Sequence, residues 1–187
     1  MTAPQIQIPD GIGYITRYYL TDGWDNDKND YAAGWCDGDG VIVTDTITPG
    51  VALWLKSVGA DATANVAGAV SELSSVDVDC PANFALRANA FPIATTLNST
   101  SMTISGIKGV AYDDAGAFKQ TAPQVQLYDG EGYITRYYLT DGWDNDKNDY
   151  AAGWCDGDGV IVSDTIPAAQ GFWTKGVGSE FKITFTK

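Results

Sequence analysis

Gly13-Tyr-Ile-Thr-Arg-Tyr-Tyr-Leu-Thr-Asp-Gly-Trp-Asp-Asn-Asp-Lys-Asn-Asp-Tyr-Ala-Ala-Gly-Trp-Cys-Asp-Gly-Asp-Gly-Val-Ile-Val43 stands twice in this chain. The same 31 residues recur, unchanged, from Gly132 to Val162. The match extends outward without a gap. Residues 2–59 and 121–178 align at an offset of 119, with 45 identities in 58 positions. Self-similarity at a fixed offset outranks any local motif in deciding a fold. We call the repeated segment B and the stretch between copies, about Val66 to Gln120, A. The chain then reads B–A–B. If A plus B is the folding unit, residues 1–65 are a first B repeat and an incomplete half-domain. Residues 66–187 are A plus the second B, a complete β-sandwich unit.

Inside B, Gln5-Ile-Gln-Ile precedes a turn at Pro9-Asp-Gly-Ile-Gly13. Tyr14-Ile-Thr-Arg-Tyr-Tyr-Leu20 is rich in aromatic and β-branched residues and predicts a strand. Asp22 to Gly40 is dense in Asp, Asn and Gly and predicts a long polar loop. Val41-Ile-Val43 and Ala52-Leu-Trp-Leu55 predict further short strands, and Phe181-Lys-Ile-Thr-Phe-Thr alternates as a strand does. In A, Thr63 to Leu73 is an Ala-rich candidate helix. Ser75 to Asp79, Phe84 to Ala88, Met102 to Gly106 and Gly109 to Tyr112 predict strands. Many short strands with turn signals and no recurring crossover helix indicate an all-β chain: an antiparallel β-sandwich or barrel with little helix.

Composition narrows the chemistry. The 187 residues carry 11 Lys and Arg against 24 Asp and Glu, a net charge of −13, and no histidine. The charge repels nucleic acid and anionic lipid. The lack of histidine removes the commonest general base and metal ligand and excludes Ser-His-Asp and Cys-His catalysis. No apolar run approaches the length that spans a bilayer, and no charged start followed by an apolar stretch is present. Paired carboxylates on a polar loop lack the buried setting that a glycosidase acid needs. These features point away from an enzyme.

The Asp22–Gly40 stretch holds six Asp and one Lys, so its two copies carry most of the net charge. Asp25, Asp27, Asn29 and Asp30 place oxygen ligands at alternating positions, with Asp37 or Asp39 available from the far side of the loop. Asp144, Asp146, Asn148, Asp149 and Asp156 repeat the set. Hard cations take six to eight oxygens, so Ca²⁺ is the candidate ion; a plain turn-rich loop explains the same residues. Trp24, Tyr31 and Trp35, with Trp143, Tyr150 and Trp154, put aromatic faces beside these acids. That combination suits carbohydrate or surface binding, or simple packing. Arg17 and Arg136, flanked by tyrosines, suit cation–π stacking. Asn98-Ser-Thr100 is a glycosylation sequon. Cys36, Cys80 and Cys155 are disulfide candidates, as Cys80–Cys155 or Cys80–Cys36, or three reduced thiols.

Phe84-Ala-Leu-Arg-Ala-Asn-Ala-Phe-Pro92, then a Tyr-rich strand, a polar loop with Trp, and a late Ala169-Gln-Gly-Phe-Trp173 follow one another in order. This order resembles β-sandwich repeat domains of large secreted or surface proteins of bacteria. The resemblance covers roughly residues 70–187 as one A–B unit. It implies a noncatalytic domain at an extracellular or cell-surface location. Copy one departs from it, with Gly50-Val-Ala-Leu-Trp54 at the late turn. A half sandwich exposes strand edges that drive association. The expectation is therefore a structural subunit that assembles with itself, as a filament or surface layer, by strand complementation. The alternative is a Ca²⁺-dependent module that binds glycans.

Overall fold

The computed structural model describes residues 3–10, 13–59, 72–168 and 170–187. The candidate helix at Thr63–Leu73 falls almost wholly outside them. The chain divides into two compact units, Met1–Ala69 and Val70–Lys187, each considered by itself below.

Unit 1 is one antiparallel sheet of four strands: β1 (Gln5–Pro9), β2 (Tyr14–Asp25), β3 (Asp30–Cys36) and β4 (Trp54–Lys56), in the order β3-β2-β1-β4. β1 pairs β2 from Gln5↔Tyr18 to Pro9↔Tyr14, and β4 lies on its other side at Ile6↔Leu55. The expected long loop is corrected here. β2 runs through Asp25 and β3 begins at Asp30, so Asp22–Gly40 is mostly a hairpin. The pairs Tyr19↔Trp35 and Trp24↔Tyr31 place large aromatic residues directly opposite each other, the pairing that best stabilises a two-stranded ladder. A bulge between Leu20 and Gly23 absorbs one extra residue. Val41 and Ile42 make single bridges, to Trp24 and Cys36, and no full strand.

Unit 2 contains β5 (Ser75–Cys80), β6 (Ala85–Ala88), β7 (Thr95–Thr96), β8 (Met102–Ser105), the single-turn helix α1 (Phe118–Thr121), β9 (Gln124–Tyr128), β10 (Tyr133–Asp144), β11 (Asp149–Cys155), β12 (Thr165–Ile166), β13 (Gly171–Lys175) and β14 (Phe181–Thr186). Its sheet β11-β10-β9-β13-β6 repeats the order and register of unit 1 and adds β6 at the edge. A second sheet, β5-β14-β8, is built from A and the chain's last strand. Val125, Leu127, Trp154 and Phe172 of the first sheet join Val78, Met102, Phe181, Ile183 and Phe185 of the second in one buried cluster. Unit 2 is thus an antiparallel β-sandwich. All named strand pairs in the chain are antiparallel. Gly109–Tyr112 is a correction: it contributes one bridge, Val110↔Leu139, and no strand.

Alternation along β10 explains how one sheet serves two layers. Ile134 and Tyr138 pack against the sandwich core. Tyr137 and Leu139, one residue out of phase, meet a smaller cluster with Phe118, Ala122 and Cys155. A covers one face together with β14, and its Phe118 covers the other.

Candidate functional site

The hairpin tip holds the first group of candidate residues. Asp25 Oδ1 accepts hydrogen bonds from the backbone N–H of Asp27 (3.0 Å) and Lys28 (3.2 Å), and its Oδ2 meets Lys28 Nζ at 2.8 Å. Asp144 repeats this with Asp146 and Lys147. The Lys28 and Lys147 ammonium groups, with these N–H donors, hold both carboxyls below the usual range. Asn29 and Asn148 adopt φ of 53° and 54°, a left-handed conformation that asparagine tolerates better than most residues. Asp30 and Asp149 accept from the N–H of Tyr31 and Tyr150. These residues close a tight turn.

Asp37 belongs elsewhere. It accepts from the N–H of Asp39 and Val41 and closes a second turn; Asp156 does the same with Asp158 and Val160. This turn folds back beside the hairpin: Asp37 N–H donates to Val41, Val41 bridges Trp24, and Trp24 N–H donates to Gly40. Asp37 and Asp156 thus use Oδ1 to close their own turns, as Asp25 and Asp144 do at the hairpin tip. Among the described residues no group of three or more acidic or cysteine side chains gathers as a metal site.

The aromatic candidates separate by position. Trp24 stacks edge-on against Tyr31 with ring centres 5.1 Å apart, and its Nε1 donates to Asn26. Trp143 and Tyr150 repeat the pair at 5.1 Å. Tyr31 and Tyr150 are 68% and 67% exposed. Trp154 is fully buried in the sandwich core, packed on Tyr138. This corrects its assignment as a ligand contact: no ligand reaches it. Its Nε1 is buried without a hydrogen-bond partner.

Two further expectations are corrected. Arg17 is not stacked on tyrosine. It grips Asp45 in a two-bonded pair, Nε to Oδ2 at 2.7 Å and Nη2 to Oδ1 at 3.0 Å, and Arg136 holds Asp164 likewise. Cys36, Cys80 and Cys155 form no disulfide; all three are buried free thiols. Cys80 lies in the sandwich core and Cys155 in the smaller cluster, so packing keeps them apart. Burial pushes the Cys80 thiol up to about 11 and Cys155 up to about 12, which makes both poor nucleophiles.

The largest contrast lies between the two copies of B. Trp154 is fully buried, and its twin Trp35 only half-buried. Leu139 is fully buried and Leu20 half-buried. Ile166 is 1% exposed and Ile47 39%. Thr174 is fully buried, whereas Leu55 at the same place is 45% exposed. Matching residues of the two sheets differ in burial because in unit 2 A and β14 cover the sheet.

Sequence reasoning missed how A attaches. Asn98 Nδ2 donates to the carbonyls of Trp154 (2.9 Å) and Val162 (2.8 Å), and its Oδ1 accepts from the N–H of Trp154 (2.9 Å). The glycosylation sequon is thus a clamp, with both amide hydrogens engaged. Tyr112 N–H donates to Asp141 at 2.7 Å, and Thr140 N–H to the Val110 carbonyl at 2.9 Å. Phe118 meets Tyr137 edge-on at 5.3 Å. Asp113 holds this segment by accepting from the N–H of Ala117 and Phe118. Asp113 stands four and five residues before the N–H groups it accepts, outside the N-cap position at Ala117, so neither it nor Asn98 is marked by a local sequence signal.

Comparison with known protein families, curated proteins and solved structures finds no match.

Proposed function

We propose that this chain is a non-enzymatic structural subunit of an extracellular or cell-surface assembly, joined to its neighbours by strand complementation at unit 1. One observation carries the reading: the sheet that A and β14 cover in unit 2 has no such cover among the described residues of unit 1, where Leu55 of the sheet and Ile47 beyond it are exposed. Covering an apolar side chain is worth about 1.5–3 kcal/mol, so this face favours a partner. The strand order supports it: among the described residues β4 ends the unit 1 sheet, whereas the matching β13 is followed by β6. The absence of catalysis rests on chemistry. The chain has no histidine, and the Asp25 and Asp144 carboxyls shift down, opposite to what an acid catalyst needs.

The exposed Tyr31 and Tyr150 favour a second reading, glycan binding at the hairpin tips through Trp24, Trp143 and these tyrosines, with Ca²⁺ at the acidic turns. Negative-stain microscopy with and without EDTA tests both. The expected outcome is large particles or filaments, and their loss in EDTA would assign Ca²⁺ to the joint. Uniform small particles in both conditions overturn the assembly reading. Saturable glycan affinity of those particles would then support the second.

A further inference from the structure

Every contact by which Asn98, Val110, Tyr112 and Phe118 hold the unit 2 sheet falls on the stretch that the two copies share unchanged. Asn98 binds the backbone of Trp154 and Val162, whose twins are Trp35 and Val43. Tyr112 binds Asp141, the twin of Asp22. Val110 binds Thr140, the twin of Thr21. Phe118 packs on Tyr137, the twin of Tyr18. In unit 1 these partners stand in the same strands and the same register. The partners of these four residues therefore exist twice in each chain, and A occurs once.

We propose that unit 1 is the acceptor for the A segment of a second copy of this chain, clamped there by Asn98. This rests on the assembly reading above and names its joint. A copy that lends its A uncovers its own unit 2 sheet, which offers the same footprint to a third. The contact is head-to-tail, the kind that builds rings or open filaments. The exchange keeps the contacts of Asn98, Val110, Tyr112 and Phe118 and gives up the ladders of β5 and β8 with β14, and it also gives up tethering. A bound within its own chain acts at an effective concentration of millimolar order. Exchange therefore grows as the protein approaches that concentration, as in a crowded layer.

Disulfide trapping tests this. A Cβ built at Gly109 would lie 3.0 Å from Thr140 Cγ2, so Gly109→Cys with Thr140→Cys closes within one chain and serves as the control. Gly109→Cys with Thr21→Cys closes only when A sits on unit 1. The expected result is a ladder of dimers and larger species on non-reducing gels, rising with protein concentration. Each single variant gives no ladder. Asn98→Ala removes the same clamp from both docked states, so the ladder is expected to hold relative to the control; a ladder lost while the control still closes means that the two footprints differ, and counts against the inference. A band closed within one chain means A turns onto its own unit 1, and overturns the second-copy acceptor. No closure while the control closes overturns the inference outright. If particles still form in that case, assembly stands and A is not its joint; if none form, both fall.

The unmutated chain gives an independent readout. The amides of Thr21 and Trp35 take the places of Thr140 and Trp154 in the docked state. Their hydrogen exchange should slow as concentration rises. Rates independent of concentration count against the acceptor.

Discussion

At the scale of single residues, carboxylates in this chain organise backbone more than they bind. Asp113 shows the energetic consequence. Hydrogen bonds from the Ala117 and Phe118 N–H groups hold its carboxyl below the ordinary value of 3.8. A depressed folded value stabilises the protein above the unfolded value, and the contribution is lost as pH falls through the folded one. Asp113→Ala is therefore expected to lower the denaturant midpoint of unit 2 at pH 7. The gap to the parent should narrow as pH drops below 3.8. A gap that stays constant down to about pH 2 would mean that the ionised carboxylate contributes nothing. Because Asp113 anchors Phe118, the same change loosens the cover over Leu139 and Cys155.

Strands are where the sequence was both most and least legible. β5, β8, β13 and β14 follow the β-branched and aromatic alternation closely. The hairpin β2–β3 was obscured because its glycines resemble loop residues. Gly23 is not there for a turn. A Cβ at that position would overlap Cys36 Sγ, so glycine permits two strands and a thiol to approach closely. Asp25 and Asn29 were legible as oxygen-bearing residues, but their oxygens close a four-residue turn. Burial could not be read at all, since Trp35 and Trp154 have the same neighbours in sequence. That pair yields a prediction at this scale. Trp154→Ala removes a buried ring from the sandwich core and should cost about 3–5 kcal/mol in urea unfolding. Trp35→Ala removes a half-buried ring and should cost no more than about 1–2 kcal/mol in dilute solution. Equal costs would mean that the unit 1 face is already covered in the isolated chain.

Over the whole molecule, one repeated sheet has two energetic fates, and cooperativity follows from them. Unit 2 closes a core across two sheets, with Phe172, Ile183 and Phe185 at 1% exposure or less. Unit 1 has one layer, and its fully buried apolar side chain among the described residues is the small Cys36. A sheet that buries few apolar side chains gains little hydrophobic free energy against the entropy of ordering its chain. Two unfolding transitions are therefore expected, with unit 1 melting first. If A of a second copy covers unit 1, its folded form is linked to association and the first midpoint rises with concentration. Scanning calorimetry over about a hundredfold range of concentration separates these cases. The chain's net charge of −13 opposes close approach of two copies, and salt screens that repulsion within roughly 10 Å at 0.1 M. Added salt should therefore raise the first midpoint at high concentration and have less effect at low concentration. A first transition that ignores both concentration and salt would mean that unit 1 folds and stands alone.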